Sequence, residues 1–341
     1  MPMTDTTPPT PATPAEPIRA QLQARLTRAS GSWRVLGTLV ALGFIWLYFG
    51  LKSQYFFTKV NIENILLQAS NVGVIAAGLT VVMITAEIDL SIGSLEALSG
   101  SVAAVVIIEH GYSVWLGIAA GLGATVLAGA ISGLITWKLR VVSFISTLAM
   151  LGIAQGVAFL LTNAHAIAGF PQDYDKIGTF KVGTFPGAAI IAAGVFLVLH
   201  LMLTRTKLGL QIYAVGGNAE AAAYAGISPG RVKLIALMIS GLTAGIGGLI
   251  LSSRLDAGNG LFGASDLLQA VAAVVIGGTS LFGGVGNVIG TAVGVLIIAS
   301  INNGLILTNV PDFWQQIVVG VIIIAAMVVD QLVKAARLAV R

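Results

Sequence analysis

The sequence contains no cysteine, so disulfides, cysteine-ligated zinc and iron–sulfur chemistry are excluded. Charge is scarce too, with Asp, Glu, Lys and Arg forming 9% of the 341 residues. Only three histidines occur, His110, His165 and His200, and none pairs with another at metal-ligand spacing, so no metal site is expected. No Gly-Lys step exists either, which removes the phosphate-cradling G-x-x-x-x-G-K-[ST] loop. Neither a catalytic residue nor a cofactor bound by this chain is expected. What is present is apolar: 56% of residues are hydrophobic and the mean hydropathy is +0.94, more than a soluble domain of this length tolerates. The chain reads as an integral membrane protein, bathed in lipid. Its 42 glycines suit close helix packing, with Gly121, Gly129 and Gly133, and Gly241, Gly245 and Gly248, at small-residue spacings. The pI near 9.4 follows from topology and points to no nucleic-acid partner.

Residues 1–33 form a cytoplasmic leader, Pro/Thr-rich to 17 and expected to be disordered, then basic and amphipathic over 18–29. Ten apolar runs of roughly 20 residues follow, at 34–51, 62–85, 91–109, 113–137, 143–163, 186–204, 232–252, 266–281, 285–306 and 313–333. The runs at 91 and 266 are the weakest, because they carry Glu96 or Asp266, and eight or nine spans remain an alternative. The expected fold is all-α, a polytopic bundle of about ten transmembrane helices occupying 34–334. With both termini in the cytoplasm, thirteen of the 18 cations fall inside, as the positive-inside rule requires. That orientation also places the polar stretch 204–233 in the cytoplasm and leaves 335–341 as a cytoplasmic tail. The outward connection 163–185 fits either an ordinary polar loop or a landing place for an external partner.

Within 204–233, Gly216-Gly217 reads as a flexible turn and Asn218 as an N-cap. Ala219–Ala225 is dense in helix formers, with Glu220 in the first turn, and Gly226 and Pro229 stop the helix. The run Ile212-Tyr213-Ala214-Val215-Gly216-Gly217-Asn218, then Ala222 and Gly226-Ile227, resembles the coupling loop of permease subunits of bacterial ABC importers of the ribose/xylose/galactose type. The resemblance implies that this loop docks on a cytoplasmic ATPase, and that Gly217→Pro or a bulky residue at Ala222 abolishes that association.

Two further blocks carry the same resemblance. Ile88-Asp89-Leu90-Ser91-Ile92-Gly93 is similar to the family's IDLS-V/I-G signature; Asp89 or Ser91 is placed to N-cap the helix beginning near Ile92, while Glu87 departs from a usually small residue. Leu267–Gly290, with Gly277-Gly278 and Gly283-Gly284, resembles the family's most distinctive block, its glycines allowing a tight re-entry between helices. At Val142–Leu148, Ser143 stands where the family has proline. Ile84–Ile108 can also be laid against Ile276–Ile298 as a weak internal repeat of the kind transporters use.

Gln68, Asn71, Gln155, Asn302 and Asn303 are uncharged hydrogen-bonding side chains in or near spans. With Phe144, they are the candidate substrate path, and helix–helix hydrogen bonding is the alternative use of the polar ones. The resemblance, over roughly residues 60–335, implies a type II importer permease of the bacterial inner membrane, paired with a second permease copy or paralogue. A periplasmic or lipid-anchored sugar-binding protein would deliver a monosaccharide, and a separate ATP-binding subunit would use ATP and magnesium. An ion-coupled secondary transporter working through Glu87, Asp89 or Glu96 is the competing reading; a non-sugar cargo within the same family is another.

Overall fold

The computed structural model describes residues 36–183 and 185–339; the expected leader and the last two residues of the expected tail lie outside them. Each of the ten apolar runs coincides with an apolar helix. Seven of these are long enough to cross a membrane: α2 (Lys59–Ile84), α3 (Ile92–Ala104, continued as a π-turn over Val105–Glu109), α4 (Val114–Lys138), α5 (Ser143–Leu161), α7 (Gly187–Arg205), α10 (Pro229–Leu255) and α12 (Val288–Leu307). Three are shorter or less uniformly apolar: α1 (Leu36–Lys52), α11 (Asp266–Ile276) and α13 (Asp312–Ala339), whose apolar part is Phe313–Ala325. The remaining helices are α6 (Gln172–Thr179), α8 (Lys207–Gly217) and α9 (Ala219–Tyr224).

Caps explain where the spans begin. Thr58, Ser113 and Asn287 accept from the N–H groups of Asn61, Leu116 and Gly290, satisfying donors that hydrocarbon cannot. Inside the helices, hydroxyls such as Thr80 Oγ1 bond back to the carbonyl four residues earlier, here Ala76 at 2.7 Å, so these polar side chains are satisfied without water.

α2 is the centre. Its most apolar window is 83% buried, against 28% in α5 and α7, because α7, α10, α11 and α12 all pack on it. The most extensive helix pair is α4 with α10. There a Cβ on Gly129 would strike the Leu237 carbonyl and one on Gly241 the Thr125 carbonyl, so the expected small-residue spacing does bring two backbones together.

Two expectations change. The run 266–281 stops being helical at Ile276, where Gly277 caps it and a glycine-rich loop takes over to Asn287. The connection 163–185 is not plain loop. It holds α6, whose Tyr174 is fully buried, stacked on Phe170 at 3.9 Å and bonded to Ser252 at 2.7 Å. The connection also contributes β1 (Ile167–Ala168), β2 (Lys181–Val182) and β3 (Phe185–Pro186). β1 pairs antiparallel with β4 (Ala257–Gly258), and β2 with β3. The C-terminal stretch beyond 334 continues α13 as far as Ala339.

Candidate functional site

Three sequence blocks far apart in the chain meet at one end of the bundle. α8 is capped by Thr206, whose hydroxyl accepts from Gly209 N–H. Contrary to the expected turn, Gly216-Gly217 closes α8 as its last two helical residues. Gly216 is buried because its missing side chain leaves room for the Ile84 carbonyl. Onto that same carbonyl Gly284 N–H donates at 2.9 Å, and Gly283 lies against Ala86. Tyr213 Oη donates to the Gly286 carbonyl at 2.7 Å. Gly278, Gly283 and Gly284 take φ of 87°, 81° and 72°, a region that glycine enters without strain. Gly277 abuts Gly290 where α11 leaves α12. The end of α2, the end of α8 and the glycine-rich loop are thus one contact.

α9 hangs from this junction. Asn218 Oδ1 accepts from Ala221 N–H at 2.9 Å. At the other end Ile227 N–H bonds the Ala222 carbonyl and Gly226 N–H the Ala223 carbonyl, a Schellman ending with Gly226 at φ 82°. Ala222 faces inward, 5% exposed, in a cluster with Val215 and Val232, and Ile227 packs against it. A bulky residue there would therefore disturb the seating of α9 itself, not an outward face. The outward face is Glu220, Ala221, Ala223 and Tyr224, the tyrosine 86% exposed. Sequence reasoning passed over Tyr224 because six residues of AEAAAY carry too few apolar side chains to set a face.

The second block lies beside the junction. Asp89 Oδ1 accepts from the N–H and hydroxyl of Ser91, at 2.9 and 2.6 Å. This bond falls on the residue before α3. Ser91 occupies the N-cap position and makes no side-chain cap bond, so neither residue caps the free N–H groups of α3 in the way expected. Burial pushes the Asp89 carboxyl above the usual carboxylate range, opposed by the Ser91 hydroxyl. Ser143 stands at the first position of α5, where proline also fits, and its hydroxyl accepts from Ile88 N–H at 3.2 Å. Glu87 is ion-paired with Lys233 at the start of α10. At Gly93, α3 touches the backbone of Gly263.

The polar side chains of the interior fall into two groups. Asn303 and Asn61 exchange reciprocal amide bonds of 2.9 Å between α12 and α2, which is a packing role. Asn71 Nδ2 bridges two carboxylates, Glu96 Oε1 at 2.7 Å and Asp266 Oδ2 at 2.8 Å. Asn302 Nδ2 donates to Gln269 Oε1 at 2.9 Å. Asp266, Gln269 and Asn302 line a cavity of about 630 Å³ with Phe262, Leu268 and Gln316. Gln68 is half-buried on α2. Phe144 and Gln155 sit on α5, which packs on α3 and α4; the structure does not bring them to the cavity. Gln269 was missed at the sequence level, although its i,i+3 spacing from Asp266 puts both on one helix face. Among the described residues, no three His, Asp or Glu side chains gather where a metal could sit.

Comparison with known proteins adds a second line. A family model described as "Branched-chain amino acid transport system / permease component" matches residues 61–327. The ribose import permease protein RbsC of Escherichia coli (strain K12) is 41% identical over 298 residues, 86% of this chain and 92% of that protein. RbsC of Bacillus subtilis (strain 168) is 37% identical over 316 residues, covering 91% and 98%. The D-allose transport system permease protein AlsC of Escherichia coli (strain K12) is 36% identical over 306 residues, covering 88% and 93%. No solved structure matches the chain.

Proposed function

The chain belongs to the permease-component family of the branched-chain amino acid transport systems, and from that premise we propose that it is the membrane subunit of an ATP-driven, binding-protein-dependent importer of a monosaccharide. Relatives named for ribose and D-allose support a sugar as cargo. The observation that carries the proposal is α9: a short helix capped at both ends, seated through Ala222, with Glu220, Ala223 and Tyr224 turned outward. A helix with that much exposed aromatic and aliphatic surface suits a partner that grips it. Energy comes from a separate cytoplasmic ATPase, which binds ATP and magnesium; this chain has no phosphate-binding loop of its own. Movement of α9 is passed through Gly216 and the loop at 277–287 to α2 and α11. A second permease copy or paralogue completes the pathway, and a periplasmic or lipid-anchored binding protein delivers the sugar. The membrane is the bacterial inner membrane, with both termini in the cytoplasm.

An ion-coupled mechanism finds less support. Glu87 is ion-paired with Lys233, Asp89 is held by Ser91 and Glu96 by Asn71, so each acid already has a structural partner. Sugar uptake in intact cells carrying the whole system distinguishes the two readings. Loss of uptake on ATP depletion with ion gradients preserved is the expected result; loss on collapse of the gradients with ATP preserved would overturn the proposal.

A further inference from the structure

We infer that the cavity between α11, α12 and α13 is a sugar-binding way station, in which Asn302 and Gln269 receive ring hydroxyls, Asp266 anchors a hydroxyl pair and Phe262 carries the apolar face of the ring. This rests on the importer reading and assigns its substrate subsite.

Size and chemistry both point to a monosaccharide. The cavity holds about 630 Å³, within the roughly 300–1,000 Å³ of small-ligand pockets. Asn302 is 8% exposed, and its Oδ1 has no hydrogen-bond partner among the described residues. One of its two amide N–H donors is given to Gln269, while the oxygen, which can only accept, is left unpaired on a side chain that lines the cavity, and a buried unpaired acceptor calls for a donor. Asp266 accepts from Asn71 through Oδ2 and from the Ser265 hydroxyl through Oδ1 at 3.1 Å. A carboxylate has about four lone-pair sites, which leaves two for a vicinal hydroxyl pair.

The same residues argue against other ligands. No Lys or Arg is among the lining side chains, so an anion finds no counter-charge. The one lining carboxylate already feels the charge of Arg254 and is bonded to Asn71, a poor cage for a cation. A neutral polyol, both donor and acceptor at each hydroxyl, is complementary to the two amides and the carboxylate, and Phe262 and Leu268 offer its C–H face an apolar surface.

The absence of native cysteine makes the test direct. Ala264 lines the cavity and is exposed; Tyr112, 57% exposed, does not line it. In the assembled importer held in lipid nanodiscs, Ala264→Cys and, separately, Tyr112→Cys are labelled with a methanethiosulfonate reagent, and modification of this chain is read by mass spectrometry. D-Ribose and D-allose at tens of millimolar should slow labelling at 264 several-fold, as occupancy dictates, and leave 112 unchanged. Asn302→Leu in the Ala264→Cys background should remove that protection, with the yield and monodispersity of the assembled importer matching the parent to show that the variant is folded. Labelling at 264 that ignores sugar, or that is slowed equally by glutamate or choline, would overturn the subsite even where uptake is ATP-driven. Failure of ATP-driven sugar uptake in the unmodified importer would instead strike the importer reading itself.

Discussion

Gly216→Ala and Gly217→Ala add the same methyl group to adjacent residues, yet the structure assigns them opposite outcomes. At 216 the new Cβ lands on the Ile84 carbonyl and lies 2.7 Å from Gly284 N; at 217 nothing stands within 4 Å. Overpacking of this kind costs about 1–3 kcal/mol. Separating the loops also breaks the 2.9 Å Gly284–Ile84 bond, worth about 1 kcal/mol. Together, about 2–4 kcal/mol shifts the population of the closed junction by about 30- to 1,000-fold, at tenfold per 1.4 kcal/mol. Gly217→Ala, in the last turn of α8, should be neutral or gain up to about 1 kcal/mol of helix propensity. The assay is ATP-driven sugar uptake in inverted and right-side-out vesicles, normalised to the amount of chain in the membrane, with co-purification of the ATPase. The expected result is uptake reduced at least tenfold in Gly216→Ala and within twofold of the parent in Gly217→Ala. Equal uptake by both variants would refute the idea that this contact links α9 to α2; equal loss in both would refute the assigned geometry.

Other outcomes follow from single contacts. Tyr224→Ala should weaken ATPase binding by about 2 kcal/mol, as an exposed aromatic anchor does, with unchanged melting of the isolated permease; equal binding would show that α9 is gripped elsewhere. Asn61→Ala and Asn303→Ala, measured singly and together by unfolding in bicelles, should show a coupling energy of about 0.6–1.7 kcal/mol, and a value of zero would mean that the paired amides of α2 and α12 do not hold each other. Asp89→Asn should retain most transport because its side-chain oxygen still accepts from both Ser91 donors, whereas Asp89→Leu should not; complete loss in both would make the charge obligatory. Gly241→Leu places a side chain against the Thr125 carbonyl and should cost about 3 kcal/mol or more, read as reduced stable insertion; normal yield and stability would contradict the close crossing of α4 and α10.

Legibility in the sequence followed the range of the interactions. The apolar runs and the caps at Asn218 and Gly226 were readable, because span length and cap chemistry are decided within a few residues. Gly216-Gly217 was misread as a turn: propensity penalises glycine in a helix, but what decides the matter is the approach of Ile84, 132 residues away in the chain. The inward face of Ala222 was equally invisible, since alanine carries the same signal on either side of α9. Ser91 and Asp89 showed that a polar turn precedes α3, not which donor each would serve. In the cavity, Asn302 was legible as a buried amide. Its neighbours Asp266 and Gln269 share a helix face by their spacing, but that this face meets Asn302 of α12 and Gln316 of α13 is set by contacts between helices far apart in the chain.

α10 spans 27 residues, about 40 Å of uninterrupted helix. One end is tied to the second block by Lys233 and Glu87, the other to α6 by Ser252 and Ser253, which bond Tyr174 and the backbone of Gly178. Such a rod acts as a lever with a fastening at each end. A tilt of about 5° about the first would carry the second, about 30 Å further along, by about 2.5 Å, enough to break a hydrogen bond, so the clasp on Tyr174 must either travel with α10 or let go.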